Sequence, residues 1–446
     1  MVLGWRRRKN CGRKDKLRLE LVVPNHFRCP ISLDLMKDPV TLSTGITYDR
    51  DNIERWFLDG NFTCPVTNQV LRSFDLIPNH AIRIMIQEWC VENRLHGIER
   101  IPTPRIPISS AQVAELLLHV KSSARRLDQY GCLELVQKME KWGEESERNK
   151  KCIVENGATG ALASAFDSFA NDSIEKNLNV LVEILSALNW MFPLQMEEAQ
   201  KCLGSQASLR CMVWFLKHQD IAGKEKSIVA LRELLSFGNE EHFNVLAEIE
   251  GANELLVELI IKRLNPTITK ASLAVVFYMV SSPSSSSSNK MKQRFIELGL
   301  VSALLEILMD SERSLCEKAL AIFDSLCSCK EGREKAYSNA LTIPVLVKKI
   351  LRVSALATEC SVSAIWKLCK NGGEEKEEED DDDEEEEEAM VEAMQVGAFQ
   401  KLLVVLQIGC GDETKVKATE LLKLLNRYGS GMECVDSDYK NLKRSH

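Results

Sequence analysis

The chain has 446 residues, too many for one ordinary hydrophobic core, so its length predicts two to four compact units or one elongated repeat array. Hydrophobic residues make up 45 % and aromatics only 6 %, which favours cores of packed aliphatic helices. The net charge of -8 has one source: residues 374–388 hold fourteen acids and one Lys, and the remainder carries 56 basic against 51 acidic residues, which excludes a generally acidic folded body.

Fifteen cysteines are scattered along the chain. Most sit in apolar runs, as do Cys202, Cys211, Cys316, Cys360 and Cys369, where they read as small buried hydrophobes. The odd count argues against a disulfide framework and for a reducing compartment. Cys327 and Cys329 have no His or Cys cluster nearby and are assigned to packing. "MVLGW" runs into "RRRK" without the apolar stretch of a signal peptide, and the longest apolar run, 273–280, is too short to span a bilayer. A soluble intracellular protein with no transmembrane segment is expected.

Residues 1–24 form a basic leader, with Arg6, Arg7, Arg8, Lys9, Arg13, Lys14, Lys16 and Arg18 against Asp15 alone. Without interleaved aromatics or a recognition fold it predicts no specific nucleic-acid binding, and it allows a flexible arm, a nuclear signal or a membrane-surface patch.

Residues 25–96 read as a compact domain. "FRCPISLDLMKDPV" and "TCPV" place Cys-Pro pairs at Cys29 and Cys64, which raises the question of a zinc site. A two-zinc cross-brace needs eight ligands in closely paired spacings. The region offers Cys29, Cys64, Cys90, His26, His80 and His96, none in a C-x-x-C or C-x-x-H pair, and Cys90 falls in a helix whose buried stripe is Ile82, Ile86 and Trp89. No metal and no cofactor are predicted. Ser32, Asp34, Asp38, Thr41, Ser43, Thr47 and Asn68 are instead expected to hydrogen-bond the loop backbones. "GITYDRDNIERWFLDGN" predicts a strand and then a helix capped by Asp49, ending near Gly60, with Ile53, Trp56 and Phe57 inward. Asn79 caps the last helix.

The three prolines of residues 97–110 mark an extended linker. From 111 to 428 the pattern is helical, with a recurring helix, small-residue turn and apolar helix near Gly157, Gly251, Gly299 and Gly397. Second helices align on Ala230, Ala319, Ala364 and Ala418. The period of roughly 40 to 48 residues matches armadillo or HEAT repeats, which stack because no single unit buries its own apolar face. A Ser-rich loop, 281–288, and an acidic loop, 374–388, are read as solvated insertions, and 429–446 as a C-terminal tail.

The motifs "FRCPISLDLMKDPV", "GITYDRDNIERWF", "CPVT" and "LIPNHAIRIMIQEW" stand in the order and spacing of a U-box, the zinc-free relative of the RING domain. The whole layout resembles the plant U-box armadillo-repeat ubiquitin ligases. The resemblance implies a mainly α chain: a small α+β zinc-free U-box followed by an α-helical armadillo-like solenoid. It implies a ligase without a nucleophile of its own, which recruits a ubiquitin-conjugating enzyme charged with ubiquitin and holds a protein substrate in the armadillo groove. The sequence agrees, having no G-x-S-x-G, phosphate-binding Gly loop or H-E-x-x-H. By position, Ile31 and Leu33 of the first loop, Pro65 of the second and Trp56 between them correspond to the conjugating-enzyme contacts. Some members carry a basic, ubiquitin-orienting residue three positions after the second-loop proline; here that residue is Asn68, whose amide still donates hydrogen bonds. The alternative is a non-catalytic adaptor with a structural U-box. An import-receptor reading finds a Trp and Asn pair only at Asn189 and Trp190. The resemblance and the thiols together place the protein in the cytoplasm, with the nucleus or the membrane surface allowed by the leader.

Overall fold

A computed structural model describes residues 23–94, 98–99, 101, 108–194, 196–281, 287–310, 312–370 and 382–429. The leader to residue 22, His96, the middle of the linker, most of the Ser-rich loop, the acidic run to 381 and the tail from 430 lie outside the described residues. The chain divides into two compact units, residues 1–107 and 108–446.

The first unit is built on a three-stranded antiparallel sheet. β1 (Pro39–Thr41) lies between β2 (Thr47–Asp49) and β3 (Ile77–Pro78), in register Val40 with Tyr48 and Thr41 with Ile77. Two helices follow, α1 (Arg50–Leu58) and α2 (His80–Glu92). Cys29, Val40, Tyr48, Ile53, Cys64, Ile86 and Cys90 form the core, with Trp56, Phe57, Ile82 and Trp89 packed half-buried against it. The apolar spacing of both helices was legible in the sequence, and Asn79 does cap α2, accepting the Ile82 N–H at 3.0 Å. Its amide also reaches Thr41 and Thr47, whose hydroxyls lie 2.9 Å apart. The expected linker is shorter than its composition suggested: Ile101 is buried in this core, and Gln87 donates to its carbonyl.

The second unit is a solenoid of three-helix repeats. Seven helices form its ladder: Gln129–Glu145, Leu178–Trp190, Ile221–Leu235, Pro266–Val280, Arg313–Leu326, Ala355–Cys369 and Asp412–Gly429. Each packs on the next. The contact favours a small side chain: Ala187, Ala230, Ala319, Ala364 and Ala418 are all buried at the aligned position, where Pro266–Val280 carries the buried Val275. Ala187 is a rung that the sequence comparison missed. The turn glycines were read well: Gly157, Gly251, Gly299 and Gly397 all take positive φ, between 78 and 83°, which a side chain adopts only at a cost.

Two insertions differ from expectation. A helix starts at Ser287, inside the Ser-rich stretch, and another spans Asp382–Gln395, so the last seven residues of the acidic run are helical and not loop. The latter helix carries Ala389, Met390 and Ala393 into the core, and this burial anchors a helix that acidic repulsion alone would not favour. Among the described residues no single helix is long and apolar enough to cross a membrane.

Adjacent ladder helices place Glu140 beside Glu183. Partial burial and then the Glu183 charge push the Glu140 carboxyl up to about 7, with Ser186 and Lys226 opposing. The folded chain therefore keeps this proton where the unfolded chain has released it, and stability falls as pH rises from about 4.5 to about 7. Glu140→Gln is expected to flatten that part of the pH profile by on the order of 1 kcal/mol, after solvent screening. Urea unfolding from pH 4 to 8 checks it; parallel wild-type and variant curves would contradict it.

Candidate functional site

The loops that carry the two Cys-Pro pairs are the same structure built twice, 35 residues apart. In the first, Cys29 N–H donates to the Asp34 carbonyl, Leu33 N–H to Cys29 and Met36 N–H to Phe27, with a bridge between Arg28 and Leu35. In the second, Cys64 N–H donates to Gln69, Asn68 N–H to Cys64 and Leu71 N–H to Phe62, with a bridge between Thr63 and Val70. The third residue after each Cys-Pro pair begins the return of the chain and takes left-handed geometry, Leu33 at φ 63° and Asn68 at φ 54°. The repeat was visible as "CPISLDLM" and "CPVTNQVL"; comparing the two segments beyond their first two letters would have predicted both turns.

Polar groups clamp these loops to the sheet, though not all the expected ones. Asp49 stands at the N-cap position of α1 without capping it. Its carboxylate instead accepts the backbone N–H groups of Lys37 and Asp38, each at 2.8 Å, closing the segment after the first loop. Burial pushes this carboxyl above its ordinary range while those two amides favour the ionised form. Asp38 holds Arg50 at 2.6 Å and Arg83 at 3.5 Å, tying both helices to the strand entry. Ser32 accepts from Asn52 at 3.0 Å, joining the first loop to α1. Thr41 and Thr47 bond side chains across the sheet and not the loop backbones.

The cysteines do more than pack. The Cys29 sulfur accepts the Asp49 N–H at 3.3 Å. The Cys64 sulfur receives Thr44 at 3.3 Å and lies 3.1 Å from the Tyr48 hydroxyl, which also accepts the Val66 N–H at 3.2 Å. Burial opposes ionisation of Cys64, but hydroxyl hydrogen bonds from Thr44, Thr67 and Tyr48 outweigh it and bring the thiol down to about 6. Tyr48 was missed and Asp49 was read only as a helix cap; their signal was a Tyr-Asp pair in a strand lying between two polar-rich loops. Among the described residues no three His, Cys, Asp or Glu side chains are grouped to hold a metal ion.

This frame sets the predicted contact residues. Ile31 and Trp56 are half-buried on the same core, and the Trp56 indole donates to the Thr63 carbonyl at 2.9 Å, fastening α1 to the second loop. Pro65 is half-buried beside Cys64, while Asn68 is exposed. Leu33 is 66 % exposed, and Val66, the partner of Ile31 in the repeated loop, is 52 % exposed. The two loops, bridged by Trp56, thus present apolar side chains outward from a rigid base.

A domain of two hydrogen-bonded loops around a small sheet, on a chain continued by three-helix repeats, defines a class, and the U-box domain family matches residues 23–95. The plant U-box protein ARM repeat region matches residues 112–446. The chain is 45 % identical over 428 residues to U-box domain-containing protein 21 of Arabidopsis thaliana, covering 95 % of this chain and 93 % of that one. It is 43 % identical to U-box domain-containing protein 20, covering 95 % and 91 %, and 33 % identical to E3 ubiquitin-protein ligase PUB23, covering 93 % and 96 %, both of Arabidopsis thaliana. The chain belongs to the plant U-box family of ubiquitin-protein ligases with armadillo repeats.

Tyr48→Phe removes the hydroxyl shared by Cys64 and Val66. It is expected to destabilise the first unit by about 1–3 kcal/mol, since the Val66 N–H loses its acceptor, and to move Cys64 ionisation upward. Thermal unfolding and a cysteine-detected pH titration by NMR check this; an unchanged titration would show that the hydroxyl does not stabilise the thiolate.

Proposed function

We propose that the first unit recruits a ubiquitin-charged conjugating enzyme through Ile31, Leu33, Trp56 and Pro65, and that the open face of the solenoid holds the protein to be modified. The observation that carries this reading is Leu33. Left-handed geometry costs a residue with a side chain roughly 1–2 kcal/mol, and exposing leucine to water adds to that cost. A fold that holds a leucine in this way, on a loop clamped from three sides, offers it to a partner.

The chemistry needs no nucleophile from this chain. The amine of a substrate Lys attacks the thioester carbon on the conjugating enzyme, an isopeptide bond forms, and the conjugating-enzyme thiolate leaves. The ligase contributes proximity, which converts a bimolecular encounter into a reaction within one complex. Asn68 occupies the second left-handed turn and is exposed, so its amide is available to hydrogen-bond ubiquitin or the conjugating enzyme. The thirteen free cysteines among the described residues support a reducing compartment, the cytoplasm.

Ubiquitin discharge from a panel of charged conjugating enzymes tests the assignment. Ile31→Ala is expected to lower the rate tenfold or more while the first unit remains folded at the assay temperature, and Asn68→Arg to raise it severalfold by adding a cationic contact. Full activity in Ile31→Ala would sink the contact surface, and no discharge with any panel member would favour the adaptor reading.

A further inference from the structure

Each repeat of the solenoid opens on a first helix that flanks the ladder. Ser287–Glu297 packs directly on the next of these, Lys330–Tyr337. Between Lys330–Tyr337 and the following one, Asp382–Gln395, a cavity of about 850 Å³ opens instead. Its buried lining is mainly apolar and includes Ala336, Ile343, Leu368 and Ala389. At its rim Ser338, Ala340, Glu388 and Gln395 are exposed. A concave, largely apolar cavity of this size with a few polar groups is the usual form of a binding site.

The polar groups of one wall are already satisfied within the fold. Tyr337 donates its hydroxyl to the Leu368 carbonyl, Thr342 to the Ala336 carbonyl at 2.7 Å and Ser338 to the Lys335 carbonyl at 2.9 Å. The Asn339 side-chain carbonyl accepts the Leu341 N–H at 3.0 Å. On the other wall stand two carboxylates, Glu388 and Glu392, and neither has an ion pair among the described residues. No Lys, Arg or His lines the cavity. Burial, then the charge of Glu388, raise the Glu392 carboxyl above its ordinary range. Two like charges drawn partly out of water without a counter-ion leave the cavity complementary to a cation.

The spacing defines the cation further. Glu388 and Glu392 lie four residues apart on one helix, about 6 Å along its axis. Alternate side chains of an extended chain point the same way about 6.6 Å apart, and the aliphatic stems of Lys and Arg cover apolar surface while their heads stay at a polar edge. We propose that this cavity binds an extended basic segment of a partner protein, with Lys or Arg at alternate positions pairing with Glu388 and Glu392. Their stems lie on Ile343, Leu368 and Ala389. Of the lining residues only Leu368 belongs to a ladder helix, so the proposal depends on neither the open solenoid face nor the conjugating-enzyme surface.

The test uses the full chain and labelled peptides of a Ser and Gly background, followed by fluorescence anisotropy. One peptide carries two Lys residues separated by one position, a second Gln at the same places, and a third two Lys residues separated by six positions. The closely spaced Lys peptide is expected to bind at least tenfold tighter than the Gln peptide and severalfold tighter than the widely spaced one, with affinity falling as salt rises. The paired change Glu388→Gln with Glu392→Gln is expected to lose tenfold or more, and removing like charges leaves the chain folded by circular dichroism. Ala340→Trp, which fills the exposed rim, should lose a similar factor. Glu377→Gln with Glu378→Gln removes the same charge from the acidic run and should change binding less than twofold. Equal binding of the Gln peptide, full binding by the Glu388 and Glu392 variant, or an equal loss in the acidic-run control would each overturn the proposal. Displacement of the peptide by spermidine at the concentration at which unlabelled peptide displaces it would also overturn it, in favour of a small polyamine site.

Discussion

The buried carboxylate of Asp49 is the interaction on which the first unit depends. It lies at the end of a short strand and takes two backbone N–H groups from the chain leaving the first loop. The N–H of the same residue is held by the sulfur of Cys29, at the start of that loop. One residue thus fixes both ends of the segment that presents Ile31 and Leu33. Its neighbour Tyr48 performs the parallel task for the second loop through Cys64 and Val66. Where a RING domain uses metal ions to hold two loops, this domain uses a strand whose adjacent residues face one loop each, and hydrogen bonds to charged or buried groups supply the rigidity.

Rigidity of this kind is what a ligase without a nucleophile requires. Its contribution is geometric, so an error in loop placement is felt directly as lost rate. The solenoid meets the same need on a longer scale. Each three-helix unit leaves an apolar face that only the next unit covers, and a buried alanine on five of the seven ladder helices lets neighbours approach closely. The result is a continuous surface on which charges from different repeats become neighbours, as Glu140 with Glu183 and Lys318 with Lys270 are.

Much of this was legible in the sequence, for definite physical reasons. Period and punctuation are local, so the helices, the Asn79 cap and the left-handed turn glycines could be read directly. The ligand count argued against a metal-held fold because metal ligation has strict requirements of number and spacing. The misses are contacts between distant residues. Asp49 has the sequence context of a helix cap, and only the folded sheet reveals that Lys37 and Asp38 bring closer donors. The bond at Cys29 exists only once the strand places an N–H against its sulfur. The acidic run reads as solvated chain, yet Ala389, Met390 and Ala393 beyond it bury enough surface to extend a helix back into it. At the candidate site the residue types of Ile31, Leu33 and Pro65 were apparent, but the left-handed backbone that exposes Leu33 was not.

The central claim is that a polar clamp, not a metal, holds the loops in the geometry that supports ubiquitin transfer. The most direct measurement is ubiquitin discharge from a charged conjugating enzyme by the full chain, with and without excess zinc chelator, for the wild type and for Asp49→Ala. The account predicts a chelator-independent wild-type rate, and loss of discharge in Asp49→Ala while circular dichroism shows the helical solenoid intact. A rate that falls on chelation, or an Asp49→Ala protein as active as the wild type, would contradict it.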